Sequence, residues 1–519
     1  MSAGLPDASN DPGRGAGVEG LPTGFRIVMD ADTKWLDTAT LFGGSPARAM
    51  RLTDTGRQAW TELRDGPVHS RGGGALARRL TDGGLAHPRP PVPARRLDVT
   101  VLIPARDRPA LLARCLRAAG RDYPVLVVDD GSVDPPAVAD VAAARDAAVV
   151  SRADSGGPGV ARDTGLANVD TEFIAFLDSD CVPPPGWIDQ LAEHFADPLV
   201  AAVAPRIVAM ADASWAGRYT AAAGGLDLGD REARVLPGAR VAYVPTAALL
   251  VRRAALLQVA TDGQAFDPAL RYGEDVDLIW RLHEAGWRIR YDPAVQVGHH
   301  EPATWRGLLA RRYRYGTSAA PLAHRHPAAV APLVLHPWPT LTVGGLLACR
   351  PTLAAVGYVA AVLTTNRTLR RAGLPTAGVA SAMLTAVHQT WLGIGRYSTQ
   401  FAAPLLAAAI LSAGQGRSGR RLAAVSLLLG PALTTWTSRG PQLDPIRFSL
   451  GHVADDIAYG AGVWAGCART RDLTAIRPRI AWRPLHLRPA TATSGPSGGQ
   501  SPQPQPATHE GPPDEQHLV

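Results

Sequence analysis

Carboxylates recur in three short motifs of this 519-residue chain. They are Asp129–Asp130, the run Asp178-Ser179-Asp180, and Glu274–Asp275, with Asp107 ahead of them all. Residues two apart on an extended segment share a face. Asp178 and Asp180 can therefore offer hard oxygen ligands to a divalent cation. Glu274, Asp275 and Asp277 precede Leu278, Ile279, Leu282 and Ala285, whose spacing predicts an amphipathic helix that stops at Gly286. One acid at a helix start serves as a cap and suits the positive end of the dipole. Three within four residues leave at least one over for acid–base work.

The elements around these acids put them on one edge. From 97 to 325 the chain alternates strand and helix. LDVTVLIP is a strand stopped at Pro104, RPALLARCLRAAG a helix, PVLVVDDGS a strand, TEFIAFLDSD a strand and PGWIDQLAEHF a helix. That alternation predicts an α/β fold with a mostly parallel sheet. In such sheets ligands bind outside the carboxyl ends of the strands, and Asp107, Asp129, Asp130, Asp178 and Asp180 all fall there. A DG or DS pair on its own is more often an Asx turn. The shared edge argues for a site.

Composition excludes other classes. The formal charge is +7, but Lys34 is the only lysine, and the arginines are scattered without a basic stripe, so no nucleic-acid partner is expected. The four cysteines lie far apart with no CxxC or Cys/His cluster, which argues against zinc and a disulfide framework. Residues 1–20 and 483–519 are rich in Gly, Pro, Ser and Gln and read as disordered tails. Residues 21–92 read as a small unit of strands and two short helices. Residues 326–482 are apolar and helical, in stretches that are borderline for the roughly twenty residues a bilayer span needs. Short spans, interfacial helices and a buried bundle all fit, and membrane association is the favoured reading.

The ordered series VTVLIPARDRP, LVVDDGS, GPGVARDTGL, FLDSD, FDPALRYGEDVDLIWRLHEAGWRIRY and AVQVGH resembles the inverting glycosyltransferases of family 2. LFGGSPARAMRLTDTGR, VAPRI and RYGTSAAPLAHRHPAAVAPLVL are similar to the mycofactocin-system members of that family. The 21–92 unit resembles winged-helix modules that recognise peptide precursors. The resemblance implies a GT-A, Rossmann-like fold and an enzyme moving glucose from UDP-glucose to a small peptide-derived acceptor, with β-1,4-glucan extension open. It implies catalysis at the cytoplasmic face of the cell membrane. It also implies that Pro104, Arg106, Asp107, Asp129, Asp130, Arg162 and Asp178 bind the nucleotide sugar, with Asp130 or Asp129 reading the uracil imide. Mg²⁺ or Mn²⁺ would sit on Asp180 with Asp178 and His299, and Asp178 could serve the ribose instead. Asp275 would be the general base, Glu274 would position it or the acceptor, and Asp277 would cap the helix or pair with Arg281. Asp163 stands where the family carries Asn. No QxxRW motif occurs, and RRYRYG occupies its place. Two other readings are a family 2 enzyme acting on a cell-envelope glycan or lipid, and a non-catalytic peptide-binding scaffold.

Overall fold

The computed structural model describes residues 20–91, 96–210, 213–412 and 418–482. Apart from Gly20, the two tails read as disordered lie outside the described residues.

A nine-stranded sheet forms the centre. Its order is Cys181–Val182, Arg288–His299, Val200–Ala209, Ala248–Arg252, Phe173–Leu177, Val99–Ala105, Val125–Asp130 and Ala148–Arg152, with Ala233–Val235 paired to Arg288–His299. The pairings from Phe173–Leu177 through Ala148–Arg152 are parallel, as is that of Val200–Ala209 with Arg288–His299. Ala248–Arg252 runs antiparallel to both neighbours. The strand order reverses at Val99–Ala105, which pairs with Val125–Asp130 on one side and Phe173–Leu177 on the other. A crevice opens at such a switch point.

Both sheet faces are covered, so the central strands are apolar throughout. Because side chains alternate, Leu102 packs on one face with Phe176, Leu249, Phe266, Leu278 and Ile279. Val101 and Ile103 pack on the other with Cys115, Leu116, Trp187 and Leu191. Each such fully buried side chain contributes about 1.5–3 kcal/mol. The helix Glu274–Glu284 is therefore held by its apolar stripe, which leaves its first turn at the crevice.

The first unit has its own apolar core, including Phe25, Leu41, Leu63 and Leu80. Its helices Asp54–Asp65 and Arg71–Asp82 begin at Thr53 and Ser70, whose hydroxyls accept the Gly56 and Gly73 N–H groups at 3.1 and 2.9 Å. The unit is tied to the sheet by ion pairs out of water. Arg78 grips Asp197 with two nitrogens, one at 2.8 Å, and both side chains are at most 5% exposed. Asp82 pairs with Arg288 at 2.9 Å, and Glu232 pairs with Arg290 at 2.8 Å beside His87 and Asp30.

The apolar region after residue 326 folds as long helices, Pro351–Arg371, Val379–Leu411, Ser418–Arg439 and Pro445–Thr470. The second kinks at Ala402, two residues before Pro404, whose ring and missing N–H interrupt the ladder. The last approaches its neighbours backbone to backbone. A Cβ on Gly460 would lie 1.7 Å from the Gln400 carbonyl oxygen, and one on Gly462 1.9 Å from that of Tyr313. Among the described residues no helix is long and apolar enough to cross a membrane.

Removing one partner of a buried ion pair strands the other charge, at a cost of about 3–5 kcal/mol. Asp197→Ala should lower the denaturant midpoint accordingly, and Arg78→Met together with Asp197→Leu should recover most of the loss in the same unfolding titration.

Candidate active site

The crevice widens into a cavity of about 1290 Å³. Pro104, Arg106, Asp107, Asp130, Arg162, Asp178, Asp180, Glu274, Asp275 and His299 all line it. Three strand ends, a strand terminus and a helix start thus bring together residues almost two hundred positions apart. Asp129 is not among them. It is 1% exposed, its Oδ1 accepts from the Ser132 N–H and hydroxyl, and its Oδ2 has no partner among the described residues.

Asp130 lines the cavity, but its carboxylate is fully engaged. Oδ1 accepts from Arg152 Nε at 3.0 Å and Gly156 N at 2.9 Å, and Oδ2 from Ser155 Oγ and Gly157 N, both at 2.8 Å. A carboxylate has about four acceptor positions, and here the loop meets all of them. Asp130 instead shapes the loop that starts the helix Pro158–Leu166. Arg106 joins the same loop through Ser155 Oγ at 2.9 Å, and Asp107 Oδ1 accepts the Val133 N–H at 2.7 Å.

That helix delivers Arg162, which is 2% exposed. Its two terminal nitrogens bond Asp178 Oδ1 at 2.6 Å and Glu274 Oε1 at 3.1 Å, and its guanidinium lies 5.7 Å from the Phe266 ring centroid. The acids around it are shifted. Burial, then the charge of Asp275, pushes Glu274 up to about 7 against the pull of Arg162. Burial also raises Asp275, although the Val276 N–H and Arg162 oppose it. A carboxylate raised toward the working pH is a better proton acceptor. Asp277 faces elsewhere, pairing Arg281 at 2.7 Å and His326 at 2.9 Å.

Asp178 and Asp180 part company. Asp178 turns to Arg162, while Asp180 lies 3.4 Å from His299 Nε2 and 3.5 Å from Arg108. Burial works against the charge on Asp180, but the bond to His299 holds its carboxyl below the usual range. Burial likewise opposes protonation of His299, yet Asp180 and Glu301 push it up to about 9. Arg162 takes one oxygen of Asp178 and turns it from the Asp180–His299 pair. Among the described residues no group of three or more His, Cys, Asp or Glu is arranged to hold a metal ion. Asp180 and His299 remain a two-donor pair.

Sequence reasoning passed over Glu301, which accepts from His299 Nδ1 at 3.0 Å and is held by Arg311 at 2.9 Å. Its position two residues beyond His299 was the available signal, as was the basic run Arg311-Arg312 in the motif that replaces QxxRW. Asp163 lies on the far side of the same helix as Arg162. Its carboxylate accepts the Ala265 N–H at 2.9 Å and the Phe266 N–H at 3.1 Å, anchoring the loop that leads into Glu274.

Residues 94–318 match the model of the family described as "Glycosyltransferase like family 2". The chain is 39% identical over 477 residues to the protein named pre-mycofactocin glycosyltransferase in two strains of Mycobacterium tuberculosis, covering 89% of this chain and 98% of that protein. It is 43% identical over 99 residues to the succinoglycan biosynthesis protein ExoW of Rhizobium meliloti, covering 17% of this chain and 30% of that protein. Among solved structures, a mannosyltransferase from Pyrobaculum calidifontis in complex with GDP-Man and Mn²⁺ aligns with a TM-score of 0.38 at 19% identity, over 70% of this chain and 88% of that one. GalNAc-T7 with UDP, GalNAc and Mn²⁺ aligns with a TM-score of 0.33 at 13% identity, over 44% and 52%. These two likenesses are weak, and no feature of the site is read from them. The sheet and its acid-lined switch-point cavity define an α/β fold with a ligand crevice at its strand ends. The chain belongs to glycosyltransferase family 2 and is an enzyme, which removes the scaffold reading.

Asp163 generates a pH test. Burial pushes its carboxyl up to about 6, against the two backbone N–H bonds and the nearby arginines. In the unfolded chain it titrates near 3.9. The folded state therefore binds the proton more tightly, and the stability this gives is full below about pH 3.9 and lost as pH rises through about 6. Asp163→Asn should gain on the wild type in thermal midpoint between about pH 4 and 7.5. A constant difference across that range would exclude the buried ionisation.

Proposed function

We propose that the protein transfers glucose from UDP-glucose, with inversion, to a peptide-derived mycofactocin precursor, and that β-1,4 extension of the first glucose is within its reach. One observation carries this reading: 39% identity across 98% of the pre-mycofactocin glycosyltransferase of Mycobacterium tuberculosis. The geometry supports the chemistry. The acceptor hydroxyl oxygen forms its bond to the anomeric carbon as the bond from that carbon to the diphosphate breaks. Asp275, raised by burial, takes the hydroxyl proton, and the electron pair leaves on UDP. Glu274 and Arg162 hold the base in place through their 3.1 Å bond. Asp180 and His299 fit the way Mg²⁺ or Mn²⁺ is bound by one or two protein ligands plus phosphate oxygens. Such an ion offsets the charge that builds on the diphosphate.

A family 2 enzyme of a cell-envelope glycan or lipid is the second reading. The partial match to the succinoglycan protein and a row of open apolar side chains favour it. Val356, Val359 and Leu363 fall on one face of the helix Pro351–Arg371, between 49% and 59% exposed. With either acceptor, we place catalysis at the cytoplasmic face of the cell membrane, with such side chains resting on the lipid surface. Full-length protein should then sediment with liposomes, and Val356→Glu with Leu363→Glu should release it. Wild-type protein that stays in the supernatant would remove the membrane role, and equal sedimentation of the variant would remove these side chains from it.

Purified protein given labelled UDP-glucose and pre-mycofactocin should place label on that compound. Label found only in lipid or wall polymer from a cell extract would transfer support to the second reading. EDTA should stop turnover, and Mg²⁺ or Mn²⁺ should restore it. Asp275→Asn should lower kcat by about 10²–10⁴-fold while UDP binding, read by calorimetry, persists.

A further inference from the structure

The cavity continues past the acids, and its far wall comes from the apolar C-terminal region. Arg396 and Gln400, one turn apart on the helix Val379–Leu411, both line it. Behind them sits Asp456 of the helix Pro445–Thr470, only 2% exposed. Asp456 Oδ1 accepts from Arg396 Nε at 3.1 Å and from Gln400 Nε2 at 2.8 Å, and Oδ2 lies 3.5 Å from His452. A buried carboxylate is costly in a helix bundle unless it is paired and bonded. Here it fixes two side chains by their inner atoms.

Their outer atoms are left over. The terminal nitrogens of Arg396 make no bond to the protein among the described residues, and 56% of its side chain is open although the cavity lies within the fold. The Gln400 amide oxygen is likewise without a donor. The wall thus presents a planar pair of N–H donors beside one acceptor. Tyr243 connects it to the acids. Burial, then the charge of Asp275, raises its phenol, and Arg312 and Arg396 pull the other way, so it lies within electrostatic reach of both ends. Inversion needs an acceptor that enters from the side away from the diphosphate, and this wall shares one cavity with Asp180 and Asp275.

We propose that Arg396 and Gln400, oriented by Asp456, form the acceptor-recognition subsite, with Arg396 bonding side by side to a carboxylate, enolate or paired carbonyl oxygens of a small molecule. The proposal rests on the transferase reading above. Two parallel charge-assisted bonds from a guanidinium discriminate for such planar oxygen pairs, which plain lipids and neutral glucans lack.

The test is a pair of Michaelis constants, for UDP-glucose and for pre-mycofactocin, on full-length protein. Arg396→Ala should raise the acceptor KM tenfold or more while the donor KM moves less than threefold. Arg396→Lys should recover part of the loss, and Gln400→Leu, which keeps the side-chain shape, should raise the acceptor KM several-fold. An unchanged acceptor KM in both Arg396→Lys and Gln400→Leu would overturn the subsite. Equal rises in both constants would instead assign Arg396 to the diphosphate and also overturn it. Should wild-type protein ignore pre-mycofactocin, the acceptor reading fails by itself, and the same split is then measured on whichever compound of a cell extract takes the label.

Discussion

A single buried guanidinium makes this site possible. Asp178, Asp180, Glu274 and Asp275 crowd one cavity, and like charges within a few ångströms repel strongly when water is excluded. Arg162 bonds two of them at once and is 2% exposed. Asp178 and Glu274 belong to segments almost a hundred residues apart, so Arg162 also acts as the strut that sets their separation. Lysine could not replace it, because a single ammonium cannot reach two carboxylates in fixed directions. The strut is itself braced by Asp130, which folds the loop that starts its helix, and by Asp163, which ties that helix to the loop before Glu274.

This hierarchy explains what could be read in the sequence. The acids were legible because strand ends in an α/β sheet share an edge, and that rule needs only the alternation of elements. Glu274 and Asp275 were legible because a cap needs one acid and the helix start carries three. The role of Asp130 was not legible. Its four donors come from residues 152 to 157, and whether a loop folds back on a carboxylate depends on φ and ψ that no motif encodes. The engagement of Asp178 by Arg162 was hidden for a similar reason, since DSD looks the same whether its first acid meets a metal or a guanidinium.

The C-terminal region was only partly legible, for a different reason. Hydropathy averages over a helix and cannot say which side faces inward. Arg312 belongs to the basic run ahead of this region and Arg396, Asp455 and Asp456 lie within it, with nothing in the sequence to pair them. In the fold they meet one another, with Arg312 on Asp455 at 2.6 Å and Arg396 on Asp456 at 3.1 Å. Gly460 and Gly462 let the helix backbones approach closely where Arg312, Arg396 and Asp455 line the cavity.

The first unit completes the argument from the opposite end. The strand Arg288–His299 starts with Arg288 and Arg290, held by Asp82 of the first unit and by Glu232, and ends with His299 beside Asp180. The strand bulges between Asp292 and Gln296, where three residues stand outside the pairing with Val200–Ala209, and is paired with that strand on either side. The unit that could pass for a detachable peptide-binding module is thus ion-paired to the strand that ends at the cavity. The same strand carries Glu301 just beyond its end, where Arg311 of the helix Trp305–Gly316 closes on it. The first unit and the acid-lined cavity thus lie at the two ends of one strand.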